Sequence, residues 1–392
     1  MSPRTARATR LGLTAAATLA AAALTAPAAL AASPAPAPAS ARDHAATQRA
    51  MNEAVKDGVP GVAAQAKTPH ATWKATAGVG NLETKKPRSA KDRYRVGSIT
   101  KTFVSTVVLQ LEAERRLSLD DTVDKWLPGV VHGNGHDGRR ITLRQLLNHT
   151  SGVHNYTADD DFARTYFLKD GFFEHRFDKL PPRDLVAIAT SHEPDFAPGT
   201  SWNYSNTNYV VAGMVIEKVT GHAYGDEIRQ RIIEPLGLHA TLVPGTYPKV
   251  PKPSSRAYGK LAMTATGPTY DVTELNPGLA SASGEMISDS GDLNRFYSAL
   301  LRGGLLPRKQ LAEMKTTVKV GEVRNAGYGL GLIERELSCG VVVWGHGGGI
   351  HGSNSEAVTT ADGRHSLAFN FNGDWSGDTD AVIEAEYCPK PK

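Results

Sequence analysis

Tyr94-Arg95-Val96-Gly97-Ser98-Ile99-Thr100-Lys101-Thr102-Phe103-Val104 is the stretch on which the fold turns. Ile99, Phe103, Val104, Val107, Val108 and Leu111 recur at helical spacing, which predicts a turn feeding a helix that runs to about Arg116. Ser98 stands at the helix start, where serine is a preferred cap. Lys101 follows one turn later on the same face. A serine hydroxyl becomes a nucleophile when a neighbour takes its proton, and a lysine amine can do so once desolvation lowers its pKa. The helix N-terminus also favours the negative charge that develops as serine attacks a carbonyl. Taken alone, the pair also fits a capped helix with a solvated lysine.

Outward from this stretch the chain divides by composition. It has 392 residues and 40% hydrophobic content, enough for one large domain or two. Residues 1–31 differ from the rest. Arg4, Arg7 and Arg10 precede an Ala/Leu-rich run, and Ala29-Leu30-Ala31 offers a small-x-small cleavage site, the pattern of a secretory signal peptide. The expected location is extracellular, with no stable membrane anchor. Removing three arginines and no acids lowers the formal charge from +4 to +1, so nothing argues for nucleic acid. Residues 32–41 read as a Pro/Ala linker. Two cysteines, Cys339 and Cys388, favour a disulfide in an exported chain.

Asp43–Val55 reads as an amphipathic helix, and Gly61–Lys67 and Thr72–Gly78 as strands. Strands are expected again at Gly329–Glu334, Gly340–Trp344, Ser355–Thr360 and Ser366–Phe371, before a last helix over Asp378–Tyr387. The middle is mainly helical. Thr142 caps a short helix, His149 is a turn residue, and Tyr156–Phe162, with its three aspartates, reads as a solvated turn rather than a calcium loop. The arrangement expected is α/β (α+β). Residues 42–104 and 291–392 form a sheet-containing subdomain, its antiparallel sheet built from both chain ends, and residues 105–290 form an inserted, mainly helical subdomain.

Two further polar constellations accompany Ser98 and Lys101. Tyr204-Ser205-Asn206 lies in a loop before a buried helix; the tyrosine can relay a proton and the asparagine amide can hold a substrate amide. His346-Gly347-Gly348 opens a glycine run after a strand, where close approach of a backbone or ligand is the usual reason. No third ligand joins His346 and His351 in metal-binding register.

In this order and spacing the three segments resemble the penicillin-recognising serine hydrolases, the group of class C β-lactamases, DD-peptidases and related esterases. Tyr94–Lys101, Leu119–Gly129, Ile141–Val153, Tyr204–Gly221, Gly284–Leu301 and Tyr328–Trp344 are similar to the exocellular actinomycete D-Ala-D-Ala carboxypeptidases, and the likeness covers nearly all of residues 42–390. It implies Ser98 as the acylated nucleophile, Lys101 and Tyr204 sharing the proton traffic, and Asn206 holding the acyl-side amide. His346 is implied on the sheet edge, supporting Tyr204 and the leaving group. Gly348 and Gly349 are implied in substrate binding, with the N–H groups of Ser98 and Gly349 forming the oxyanion hole. Phe162 is implied to line the cleft, and Cys339 and Cys388 to be bridged. No metal or organic cofactor is implied, and a monomer is expected.

Two departures bear on substrate. Where the carboxypeptidases carry two threonines this chain has Gly347 and Gly349, and where they carry the arginine that grips a free carboxylate it has Ile333. Arg335, Arg324 and His351 are the cations left to replace that grip. The first expectation is therefore a DD-carboxypeptidase acting on D-Ala-D-Ala-type peptides of the cell wall and acylated by β-lactams. The alternative that the lost clamp favours is an esterase, amidase or D-aminopeptidase of the same fold. A β-lactamase comes third, and a non-catalytic penicillin- or wall-binding protein is the reading of another class.

Overall fold

The computed structural model describes residues 44–320 and 325–389. The expected signal peptide and the Pro/Ala linker therefore lie outside the described residues, as does Arg324. Eight strands form one antiparallel sheet: β1 (Gly61–Lys67), β2 (Thr72–Gly78), β3 (Val318–Lys319), β4 (Ala326–Tyr328), β5 (Ile333–Glu336), β6 (Val342–Ile350), β7 (Ser353–Thr360) and β8 (Ser366–Phe371). Their spatial order is β2-β1-β8-β7-β6-β5-β4-β3. β1 pairs with β8, from Val62↔Phe371 to Lys67↔Ser366, so strands from the two ends of the chain lie side by side. All six residues of β8 are buried, as expected of a strand flanked by neighbours and covered on both faces.

The sheet separates two apolar layers. On one face α1 (Ala45–Lys56) and the C-terminal helix pack over Val343, Val358, Phe369 and Phe371. The other face, with Trp344, Ala357 and Ala368, meets α2 (Thr100–Ala113) and the helices that follow. Seven helices matter for the site and its frame: α1, α2, α3 (Leu143–Leu147), α4 (Asp160–Tyr166), α5 (Asn206–Thr220), α6 (Ser290–Leu301) and α7 (Thr379–Tyr387). α1 and α7 are tied by the buried Glu386, which accepts from Thr47 Oγ1 at 2.7 Å and pairs with His44 at 2.9 Å and His365 at 2.7 Å. Those partners hold its carboxyl down at about 2 against the opposing effect of burial. The Cys339–Cys388 disulfide joins the β5–β6 turn to the end of α7. A cross-link closing a loop of this length stabilises by roughly 4 kcal/mol in the chain-entropy account.

Several sequence expectations shift. α2 stops at Ala113 rather than Arg116, because Arg115 adopts a positive φ of 59°. Of the single strand expected over Gly329–Glu334, residues 329–332 are the turn between β4 and β5, with Gly331 at φ 70°, and only Ile333 and Glu334 belong to β5. β6 runs through the glycines to Ile350 instead of ending at Trp344, since β7 pairs with it along that whole length. The supposed solvated turn at the three aspartates starts a helix: Asp159 accepts from the Phe162 N–H at 2.7 Å as the cap of α4, and Asp160 and Asp161 fill its first turn. Thr142 does cap α3, through a capping box with Gln145. No helix among the described residues is long and apolar enough to cross a membrane.

One buried carboxyl makes pH dependence a test of the fold. Glu285 is 2% exposed, and its Oε2 has no hydrogen-bond partner among the described residues. Burial pushes its pKa up to about 8, with the Arg95 charge pulling the other way. The unfolded chain releases this proton near its ordinary 4.5, whereas the native state retains it to about 8. Native stability therefore declines as pH rises across that window. Glu285→Gln removes the penalty. The variant's gain in unfolding free energy is expected to be small at pH 5 and to reach a few kcal/mol, in order of magnitude, at pH 8. Denaturant titration at the two pH values checks it, and a pH-independent difference would contradict it.

Candidate active site

Residues Gly97–Ile99 form a single 3-10 turn, and α2 begins at Thr100. Ser98 makes no capping hydrogen bond, so the expected cap is not one. Its hydroxyl faces Lys101 instead, with Nζ 2.9 Å from Oγ. Lys101 is fully buried, and Nζ also lies 2.8 Å from Asn206 Oδ1 and 2.7 Å from the Ser283 carbonyl. Desolvation lowers its pKa well below the ordinary lysine value. The three partners fix what the neutral amine does. Asn206 Oδ1 and the Ser283 carbonyl can only accept, so they take its two N–H bonds. The lone pair is left for Ser98, whose hydroxyl alone of the three can donate. Deprotonated Lys101 is thereby aimed at the Ser98 proton.

Tyr204 and Asn206 arrive on the segment that becomes α5. Ser205 is extended, and the helix starts at Asn206 itself, so Asn206 belongs to the helix and not to the loop before it. Asn206 is oriented from both sides: Oδ1 accepts from Lys101, and Nδ2 donates to Thr157 Oγ1 at 3.2 Å. The Tyr204 ring sits with its centroid 4.8 Å from Lys101 Nζ. Desolvation raises the phenol well above its ordinary pKa and a hydrogen bond with Ser98 partly offsets this, so Tyr204 is a neutral phenol near pH 7.

Beneath Tyr204 lies a directed hydrogen-bond chain. His149, fully buried with φ 63°, stacks at 4.3 Å between ring centroids. Its Nδ1 accepts from the Ser205 N–H at 3.1 Å, so the neutral ring carries its proton on Nε2 and donates to Tyr328 Oη at 3.2 Å. Tyr328 then donates to His346 Nε2 at 2.9 Å, and His346 Nδ1 donates to the Gly347 carbonyl at 2.5 Å. Burial holds His346 down at about 3 and His149 well below its ordinary value. Both rings are neutral at working pH. His346 thus meets Tyr204 through ring packing, 6.4 Å between centroids, and among the described residues its side-chain hydrogen-bond partner is Tyr328.

The glycine run brings β6 against the Ser98 turn. A Cβ on Gly348 would fall 2.0 Å from the Val96 carbonyl and 2.8 Å from the Ser98 nitrogen. Only a glycine there lets the two backbones meet. A Cβ on Gly349, by contrast, would enter open space. From His346 onward β6 pairs with β7 alone, since β5 begins opposite Gly345. The open edge of β6 therefore runs past Ser98. Phe162 is 3% exposed and packs on Tyr156 and Tyr166 at the start of α4, one step removed from the Ser98 group. Of the candidate cations, Arg335 is held by Glu356 at 3.0 Å and Asp380 at 2.7 Å, and His351 donates from Nε2 to the Tyr166 carbonyl at 2.8 Å.

A family model described as Beta-lactamase matches residues 29–385. The chain belongs to the beta-lactamase family. Within that family it is 27% identical to penicillin-binding protein 4* of Bacillus subtilis over 75% of this chain and 64% of that one. It is 30% identical to penicillin-binding protein 4 of Amycolatopsis lactamdurans over 55% of this chain and 52% of that one. The chain thus spans about half to two thirds of the length of these curated relatives. Among solved structures it is 61% identical to a D-stereospecific amidohydrolase from Streptomyces sp., covering 89% of this chain and 100% of that one with a TM-score of 0.85. A D-amino acid amidase from Ochrobactrum anthropi SV3, complexed with L-phenylalanine amide, is 28% identical over 87% of this chain and 97% of that one, with a TM-score of 0.74. The family and these neighbours make the chain a serine hydrolase of the beta-lactamase and penicillin-binding-protein superfamily.

Three contributors went unread in the sequence. Thr157, Ser283 and Tyr328 touch Asn206, Lys101 and His346, but each comes from a segment without a periodic or metal-like signature. Lys101 carried the available hint, since a buried amine needs an acceptor for each of its two N–H bonds and Asn206 supplies one.

Proposed function

We propose that this beta-lactamase-family hydrolase cleaves D-aminoacyl amides, and the corresponding esters, through an acyl-enzyme on Ser98, releasing an uncharged amine or alcohol. The observation that carries this reading is the occupied state of Arg335: the cation nearest the expected carboxylate grip is committed to Glu356 and Asp380. Ile333, Gly347 and Gly349 add no positive charge of their own. Among the described residues a free C-terminal carboxylate would lack a cationic partner there, whereas an amide or ester asks for none. The 61% identity to a D-stereospecific amidohydrolase supports the same choice over the carboxypeptidase first expected.

The chemistry follows from the partners of each atom. Ser98 Oγ gives its proton to the Lys101 amine and attacks the carbonyl carbon. The oxyanion forms beside the N–H groups of Ser98 and Gly349. Lys101, now an ammonium bonded to Asn206 and Ser283, returns a proton through the Tyr204 hydroxyl to the leaving nitrogen. Water then attacks the ester, the same groups run in reverse, and the D-amino acid departs. The leader-like residues 1–31 support action outside the cell.

The test is turnover of D- and L-phenylalanine amide, of D-Ala-D-Ala and its C-terminal amide, and of a penicillin, with Ser98 acylation followed by intact mass. Preference for the D-amide over the L-amide, and for the peptide amide over the free acid, is expected. Faster release of D-alanine from the free acid would return the enzyme to the carboxypeptidase reading.

A further inference from the structure

Gly347 is glycine for a reason that points across the sheet. Its register partner on β7 is Glu356. A Cβ on Gly347 would lie 2.4 Å from Glu356 Oε1, so the carboxylate occupies the space a side chain at 347 would fill. Glu356 is 7% exposed, and its other oxygen receives Arg335 Nη2 at 3.0 Å. Arg335 shares its second nitrogen with Asp380 at 2.7 Å. The cluster holds two carboxylates and one guanidinium, hence a net negative charge when all are ionised.

Its position relative to Ser98 gives that charge a consequence. Adjacent residues of a strand face opposite sides, so Gly348 meets the Ser98 turn on the α2 face while Gly347 and Glu356 lie on the α1/α7 face, and the two come together at the free edge of β6. Ile333 opens β5 opposite Gly345 and so marks where the free edge of β6 begins. A substrate laid along this edge carries its leaving group past Ile333 and Gly347. A carboxylate there meets an apolar side chain and the buried Glu356 carboxyl, whose pKa burial raises and the Arg335 charge pulls back, and when ionised beside Arg335 it repels a second carboxylate in a partly desolvated site.

We infer that Glu356, fixed by Arg335, is a specificity residue that closes the leaving-group side of the cleft to free carboxylates. This rests on the amidase reading and names a residue that enforces it. Arg335 thus acts as the clasp of an excluding group, where the sequence had left it as a candidate carboxylate ligand.

The experiment compares kcat/KM for D-Ala-D-Ala and D-Ala-D-Ala amide in wild type, Glu356→Gln and Asp380→Asn. The amide-to-acid ratio is expected to fall about tenfold in Glu356→Gln, through a rise in free-acid turnover. A fall of about two- to threefold is expected in Asp380→Asn, where Arg335 is left wholly to Glu356. Asp380 is 63% exposed on its side chain, so this variant decides the matter should Glu356→Gln fail to fold. Loss of turnover on both substrates with the ratio unchanged would overturn the inference, because a merely structural role predicts that. A wild type that prefers the amide, with ratios unmoved in both variants, would leave the amidase reading standing and remove Glu356 from it. A wild type that prefers the free acid would sink both.

Discussion

Replacing Lys101 with methionine is expected to lower kcat/KM for a D-aminoacyl amide by about 10³-fold or more and to abolish Ser98 acylation on the time scale of turnover. Methionine keeps the length and apolar stem but removes the lone pair aimed at Ser98. Among the described residues no neighbouring group is placed to take over. Tyr204 is a neutral phenol whose pKa is raised by desolvation. His346 Nε2 is already engaged by Tyr328, and His149 faces the same tyrosine from the opposite side. Arginine would fail as well, because its guanidinium stays protonated and offers no lone pair. The variant should fold: the Asn206 and Ser283 oxygens lose a donor, costing about 1–3 kcal/mol each if left unpaired, while the penalty of burying an amine disappears. Intact-mass sampling during turnover, with a melting curve beside it, checks the result. A loss below tenfold in a folded variant would place the base elsewhere.

The same residue is expected to govern the acid limb of the rate profile, read as kcat/KM against pH. Burial lowers the Lys101 pKa well below the ordinary lysine value, which favours the free amine, and falling pH converts it to the ammonium. Protonation ties its third N–H to Ser98 Oγ, and the nucleophile then faces a donor instead of an acceptor.

How far the site could be read in advance follows from how local its determinants are. Ser98 and Lys101 are three residues apart on one helix turn, and their contact needs only helical geometry. That one sheet draws on both chain ends was legible because a helix and two strands open the fold and strands and a helix close it, whereas the pairing of β1 with β8 came only with the structure. What lay hidden was set by contacts distant in sequence. The Ser283 carbonyl reaches Lys101 across 182 positions, and no side-chain pattern announces a backbone acceptor. The glycine run was read for the closeness of its neighbours but not for which one. Gly348 admits the Val96 carbonyl and Gly347 admits Glu356, and only the register of β6 on β7 tells them apart. Arg335 was legible as a cation, yet its charge is spent on Asp380 of α7, 45 residues on.

Tyr204→Phe is expected to separate leaving groups that need a proton from those that do not. Phenylalanine keeps the ring over Lys101 and against His149, so the loop and the Ser98–Lys101 pair should be preserved. The hydroxyl hydrogen-bonded to Ser98 is lost, and with it the route that carries the Lys101 proton outward. An amide nitrogen cannot leave as an anion, so D-phenylalanine amide turnover should drop by about 10²–10³-fold. A p-nitrophenyl ester of the same D-amino acid expels a stable phenolate and needs no such proton, so its acylation should drop less than about tenfold. Pre-steady-state release of nitrophenolate, set beside amide turnover, measures both. Equal losses on the two substrates would mean that Tyr204 acts on Ser98 attack itself, as a partner in activating the nucleophile. A loss confined to the amide would assign it to the leaving group and leave Lys101 alone as the base.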